Sequence, residues 1–458
     1  MKKLKYGSKK NSTMKIYFST SIGLFLLKFF IILNLNPKLA LDIGGGRGVF
    51  LKGILNGSDG ENYLNGLISL INEGIFSSAQ ILSYFPAGYP IVMYSFSKIQ
   101  PNLTLLFLST LQSAIFSYSV YILAKFLLRT KLQKYTLFIF LMIILNPTLS
   151  LSSLVIGYES FTASGVILVT ALLIKYKLLL PENEYEKIRT LLSISLICGF
   201  VTFLQPRLIL GLLLVVVIVI LSQEQIKKSI FLILISTLVI SLFPISLAYR
   251  NYQSTGLRYV STNLGTTMNL GVGSKTTGSY WDVEKGIVCD GASDNQVSDS
   301  DLVKCVMKWY VDNPQKSAKL FLFKSMYFWS PWVGPLAEGT TGRNPWLRYG
   351  PYSLFSDNLI YKNFFVDNIE LFISFLWFLS TLFFLVYGFL ILIKMRSIER
   401  LIGITLIILI LVNWGISLLT IGDHRFRIPI LGASIFLQSI GIVSLINNLT
   451  RLNRARNL

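Results

Sequence analysis

Gly57 to Pro90 reads GSDGENYLNGLISLINEGIFSSAQILSYFPAGYP and comes directly after the first apolar run of the chain, Ile16 to Leu35. It opens on two acids, Asp59 and Glu61. A short amphipathic stretch follows, and then Tyr84-Phe85-Pro86-Ala87-Gly88-Tyr89-Pro90. Ser58-Asp59-Gly60-Glu61 fits a capping box, with Ser58 as N-cap and Glu61 at N3. Asp59 then sits as a favourable first-turn acid near the helix dipole. The helix predicted after it gathers Tyr63, Leu64, Leu67, Ile68 and Ile71 on one face. Such a helix beside an apolar span lies along the membrane surface, which holds Asp59 at the lipid–water boundary.

Apolar residues make up 53% of the 458, and charged residues only 14%. Soluble domains run at about 25% charged. Mean hydropathy is +0.60. Runs of about 20 apolar residues recur, each long enough to cross a hydrocarbon core of about 30 Å. Ten spans are predicted, at 16–35, 102–128, 135–151, 155–176, 189–205, 206–222, 229–248, 368–393, 401–421 and 428–447. The expected fold class is an all-α polytopic membrane protein with about ten transmembrane helices. The first span is too long for a signal-peptide core, and no small-x-small cleavage site follows it. The pair at 189–222 reads either as two short spans or as one helix kinked at Pro206. Charge decides for two, because a single pass would carry Lys227-Lys228 to the side opposite the other basic loops.

The net charge of +20 suggests nucleic acid at first sight, and its distribution removes the suggestion. Ten spans put the N-terminus, 125–135, 175–189, 222–228, 394–400 and the C-terminus on one face. That face collects nearly all the excess positive charge, while the other is near neutral. This is the positive-inside pattern, so the basic face is cytoplasmic and the protein is expected in the cell (inner) membrane. Three regions follow: 1–248, an N-terminal membrane region carrying the external loop 36–101; 249–367, a mixed extracytoplasmic domain too long to be a connecting loop; and 368–458, the C-terminal membrane helices. Within the second, helices are expected from Ser300 to Asp312 and from Pro314 to Trp329. Cys289 and Cys305 lie in this segment and pair if it faces an oxidising compartment. Two free thiols is the other reading. Cys198, in a span, is packing.

Few residues are suited to chemistry. Gly44-Gly45-Gly46-Arg47-Gly48 follows no strand of a βαβ unit and is read as a loop, not a nucleotide cradle. Glu159 lies in a span near its outer end, and an acid there is a functional candidate by default; water or a helix start would also satisfy it. Arg207, Arg250, Arg425 and Arg427 recur at outer span ends, against the positive-inside trend. They can anchor spans or snorkel, or they can hold a phosphate bidentately. The phosphate reading is favoured because the pattern repeats. His424 is the only histidine, which excludes a multi-histidine zinc site and favours a carboxylate for any proton transfer.

Five motifs in order carry a resemblance. They are Ser58-Asp-Gly-Glu-Asn-Tyr63, Tyr84-Phe-Pro-Ala-Gly-Tyr-Pro90, Leu204-Gln-Pro-Arg-Leu208, Arg250-Asn-Tyr252 followed by Val260 to Gly271, and Arg425-Phe-Arg-Ile-Pro429. With the topology, they make the chain resemble the C-type, multi-span glycosyltransferases that use polyprenyl-phosphate sugars. The likeness is to the bacterial branch related to protein O-mannosyltransferases and lipid A aminoarabinose transferase (family 39-like). The resemblance implies an inverting transfer of a hexosyl or pentosyl group from a polyprenyl phosphate, on the extracytoplasmic face. The acceptor would be a hydroxyl on a lipid, glycan or protein, in cell-envelope glycan assembly. It implies Asp59 as base with Glu61 beside it, and Arg425 and Arg427, then Arg250 and Arg207, on the leaving phosphate. Tyr63, Tyr84, Tyr89, Glu159 and His424 are expected to line the site. The family's acid is usually followed directly by a second acid. Here Gly60 intervenes, which leaves open Glu61's role and that of a divalent metal.

Two rival readings remain. A transporter or flippase would line a water path with these acids and arginines, and tends to show inverted repeats; none is visible. A surface-polysaccharide polymerase or ligase would carry its key arginines inside the long external loop.

Overall fold

A computed structural model describes residues 2–34, 54, 60–179, 183–222, 224–273, 276, 278, 288–289, 298–329, 368–395 and 398–456, with backbone alone at 2–11, 368–374 and 454–456. Among these every regular element is helical. In chain order they are α1 (Lys2–Asn34), α2 (Gly60–Glu73), α3 (Ile81–Tyr84), α4 (Gly88–Ser97), α5 (Thr104–Leu127), α6 (Thr136–Leu145), α7 (Pro147–Leu151) and α8 (Glu159–Leu178). Next come α9 (Glu184–Leu204), α10 (Ile209–Leu221), α11 (Ile226–Thr255), α12 (Leu264–Leu270), α13 (Asp299–Asp312) and α14 (Pro314–Trp329). The chain closes with α15 (Asn368–Lys394), α16 (Ile398–Leu419) and α17 (Ile428–Arg456).

Eight of the described helices are long and apolar enough to cross a membrane, where about ten are expected. The expected span at 135–151 is a bent pair of helices, which together would make a ninth crossing if they form one span. Asn146 accepts from the backbone N–H of Leu149 at 3.0 Å and Pro147 takes the first helical position, so α6 and α7 meet at 56°. The missing N–H and fixed φ of proline suit a helix start and stop the helix before it. The expected span at 206–222 is a shorter apolar helical stretch, Pro206–Leu221. It is separate from α9, which ends at Leu204 ahead of a 3-10 turn at Pro206–Leu208. Gly256, at φ +73°, ends α11 in the left-handed conformation that glycine adopts without a Cβ penalty.

The core runs along the spans. Helices α15 and α17 approach closely at Gly388 and Gly441. A Cβ on either would overlap the carbonyl of Leu437 or Phe384 on the other helix, as expected where small residues let membrane helices touch. At one end of α8, α9 and α11 the charges are laced together. Lys187 pairs with Glu224 at 3.3 Å, Lys175 with Glu186 at 3.3 Å, and Lys228 with Glu184 and Glu224. Glu159 starts α8 at the opposite end. A helix of 20 residues separates the two by about 30 Å.

The amphipathic stretch forms α2, with Tyr63, Leu64, Leu67 and Leu70 buried. The buried face is rotated from the expected one: Ile71 is 39% exposed, because Leu70 packs under α3 and Gly66 accepts the side chains of Leu82 and Pro90.

The segment after α11 is helical where described, not mixed. Ser298 N-caps α13 by accepting from the N–H of Asp301 at 3.2 Å, and Pro314 opens α14. Cys289 and Cys305 form a disulfide. Met268, Val272, Leu302 and Val306 pack beside it in a small core of their own. Lys324, fully buried on α14, donates to the carbonyls of Leu418 and Thr420 and to Tyr310 Oη at 2.8 Å. An ammonium at the negative end of α16 is the favourable polarity, and it docks the segment onto the spans. With the cysteines 16 positions apart in sequence, reduction is expected to lower the stability of this segment by about 3 kcal/mol. Intact mass and thermal melts with and without reductant check this. An unchanged melt on full reduction would show that the bridge does not hold α12 to α13.

Candidate functional site

A cavity of about 260 Å³ opens between α2, the 158–159 helix start, the Pro206–Leu208 turn, α12 and the turn before α17. Arg425 and Arg207 both line it. Arg425 sits on a 3-10 turn, His424–Arg427, whose N-cap Asp423 accepts from the backbone N–H of Arg425 at 2.8 Å. Its Nε donates to the Glu159 carboxylate, and its Nη2 reaches Tyr63 Oη at 3.4 Å. The guanidinium lies over the Tyr158 ring, 5.4 Å from its centroid. The side chains of Arg425 and Glu159 are 8% and 13% exposed, so the pair is largely desolvated. Glu159 is also the first-turn acid of α8, where the dipole favours a negative charge.

Arg207 enters from the facing turn. Its Nη2 donates to Asn413 Oδ1 at 3.0 Å, and its guanidinium stacks 4.0 Å from the Phe426 centroid. Gln205 donates to Tyr158 Oη at 3.1 Å. The outer wall is α12, which presents Leu264, Thr267 and Leu270. It is held from behind by Asp299, which accepts from the N–H of Gly265 at 2.6 Å. Burial raises the Asp299 carboxyl above its ordinary range, against the backbone donors of Gly265, Thr266 and Leu264 that lower it. The disulfide ties the same wall to α13, and Asn269 bonds the backbone of residues 288 and 289.

The structure sorts the expected site residues. Tyr63, Tyr84, Arg207 and Arg425 line the cavity, and Glu159 orients Arg425. Arg427 does not share the cavity with Arg425. A 3-10 turn advances about 120° per residue, so side chains two positions apart point to different sides. Arg427 lines a separate cavity of about 210 Å³ with Asn146, Trp377 and Gln438, and lies over the Trp329 ring. Arg250 is also elsewhere. Its fork reaches the carbonyls of Ile75 at 3.0 Å, Leu82 at 3.2 Å and Ser77, and so fixes the turn between α2 and α3. Tyr89 lies behind the cavity, with its hydroxyl bonded to Gln112 and Gly157. His424 is buried beside Asp423. Glu61 falls in the first turn of α2. Asp59 lies outside the described residues.

Tyr158, Gln205, Asn413 and Phe426 were not picked out from sequence. Gln205 stands within Leu204-Gln-Pro-Arg-Leu208 beside the arginine that drew attention. Phe426 stands within Arg425-Phe-Arg-Ile-Pro429 and Tyr158 beside Glu159, while Asn413 is a span residue with no local signal. Among the described residues no three His, Cys, Asp or Glu side chains cluster to hold a metal, and the one carboxylate at the cavity edge is engaged by Arg425. Comparison with family models, with curated proteins and with solved structures finds no match in any of the three.

Proposed function

We propose that the chain is an integral-membrane glycosyltransferase that takes a sugar from a polyprenyl phosphate and passes it to an acceptor hydroxyl on the extracytoplasmic side. The observation that carries this reading is the convergence of Arg207 and Arg425 on one cavity walled by Tyr63, Tyr84 and Tyr158. Two guanidiniums suit a phosphate, and aromatic faces with Gln205 and Asn263 suit a sugar ring. Position supports it as well. The cavity is about a membrane's thickness from the cation-rich ends of α8, α9 and α11, and a disulfide beside it suits an oxidising compartment.

The step has a definite balance. Asp59 takes the proton of the acceptor hydroxyl. The acceptor oxygen bonds to the anomeric carbon as the bond from that carbon to the phosphate oxygen breaks, with inversion. The electron pair leaves on the lipid phosphate, where Arg425 and Arg207 meet the developing charge. Glu159 orients Arg425 through Nε.

The test is thermal stability in detergent with farnesyl phosphate or farnesol. Ligand that binds only the folded state raises Tm. Farnesyl phosphate is expected to raise Tm of the wild type, farnesol is not, and Arg207→Gln is expected to lose the effect. Equal shifts from both compounds would remove the phosphate from the reading.

A further inference from the structure

Lys28 is a buried lysine in the span Ser12–Asn34, 2% exposed, and the proposed reaction makes no use of it. An ammonium at hydrocarbon depth is costly and marks function by default. Its Nζ donates to Ser153 Oγ at 3.0 Å and sits 4.1 Å from the Phe116 ring centroid.

From Ser153 a hydrogen-bonded chain leads to the cavity. Ser113 Oγ also donates to Ser153 Oγ, at 3.2 Å, and Ser153 Oγ donates onward to the Ser150 carbonyl at 3.0 Å. Gln112 donates through Nε2 to the carbonyls of Ser153 at 3.2 Å and Val155 at 3.3 Å. Its Oε1 accepts from Tyr89 Oη at 2.9 Å, and Tyr89 Oη accepts from the N–H of Gly157 at 2.9 Å. Lys28, Gln112 and Tyr89 come from three helices, α1, α5 and α4; Gln112 and Tyr89 grip the 153–157 backbone, and Lys28 holds the Ser153 side chain at its start. The next turn carries Tyr158 and Glu159. A Cβ at Gly157 would overlap the Glu159 carboxylate, so the backbone held by Tyr89 lies directly against the acid that orients Arg425. The Tyr89 ring also packs edge-on to Tyr63, with centroids 5.0 Å apart.

We propose that Lys28 is a positioning residue for the cavity: through Ser153, Gln112 and Tyr89 it fixes the 153–159 backbone and with it the Glu159–Arg425 pair. The inference rests on the reading of the cavity as a lipid-phosphate site. A lysine kept only for stability predicts something different. A buried ion replaced by an apolar side chain of similar volume is often neutral or stabilising, and ligand binding would then be unaffected.

The experiment uses the full chain in detergent, with the wild type, Lys28→Met and Tyr89→Phe. Farnesyl phosphate affinity and Tm are measured together. Lys28→Met is expected to fold with Tm at or above wild type and to bind about tenfold more weakly, within the usual range of coupling between sites. Tyr89→Phe, which removes the bond to Gly157, is expected to weaken binding in the same direction. Wild-type affinity in both variants overturns the inference. If the wild type itself binds no farnesyl phosphate, the functional reading fails and a second measurement decides this one. The Tm shift caused by Glu159→Gln is compared in the wild-type and Lys28→Met backgrounds. A smaller shift in the second supports the positioning role, and equal, additive shifts overturn it.

Discussion

Arg425→Met is expected to reduce sugar transfer by about 10²–10³-fold, the usual loss when one preorganised group is removed from developing negative charge. The same change also touches the fold. Glu159 would be left as a largely buried carboxylate without the guanidinium, and breaking a buried pair from one side costs about 3–5 kcal/mol. The two effects separate in a double variant. Arg425→Met with Glu159→Gln removes both charges and is expected to recover most of the lost Tm while recovering none of the activity. Transfer assays with a polyprenyl-phosphate sugar and thermal melts on the three variants check this. Recovery of activity along with stability would reduce Arg425 to a structural role.

Asp59→Asn is expected to remove transfer almost entirely, since a positioned base contributes about 10²–10⁴-fold and no histidine other than His424 is available. Expression and farnesyl phosphate binding are expected to survive, because the arginines are untouched. The distinguishing readout is therefore activity lost with binding kept. Arg207→Gln is expected to lose binding and activity together. Wild-type turnover in Asp59→Asn would transfer the base role to another carboxylate.

Several features were legible in sequence because their signals are local. Span positions follow from apolar runs. The start of α14 at Pro314 follows from proline, whereas the break at Asn146-Pro147 falls inside the single span expected at 135–151, and α13 begins at Asp299, behind a Ser298 cap, one residue before the expected Ser300. The pairing of Cys289 with Cys305 was one of two open readings. What stayed hidden depends on contacts between distant parts of the chain. Arg250 and Arg207 look alike as single arginines at span ends. One is taken up by carbonyls more than 160 residues away, and the other faces the cavity. Arg425 and Arg427 look like a pair in sequence and are divided by the pitch of a 3-10 turn. The face of α2 was placed one position off because Leu70 finds a partner in α3, which periodicity does not show. Tyr158 and Gln205 belong to the site only because α8 and α9 end at the same level.

The decisive measurement is the lipid that purifies with the protein. Wild type and the Arg207→Gln/Arg425→Gln variant are isolated from the same membranes and their bound lipids read by mass spectrometry. A polyprenyl-phosphate sugar is expected with the wild type and absent from the variant, and its mass would identify the sugar class. Wild type that carries no such lipid, and gains no thermal stability when the donor is added, would contradict a lipid-phosphate site at the arginine pair.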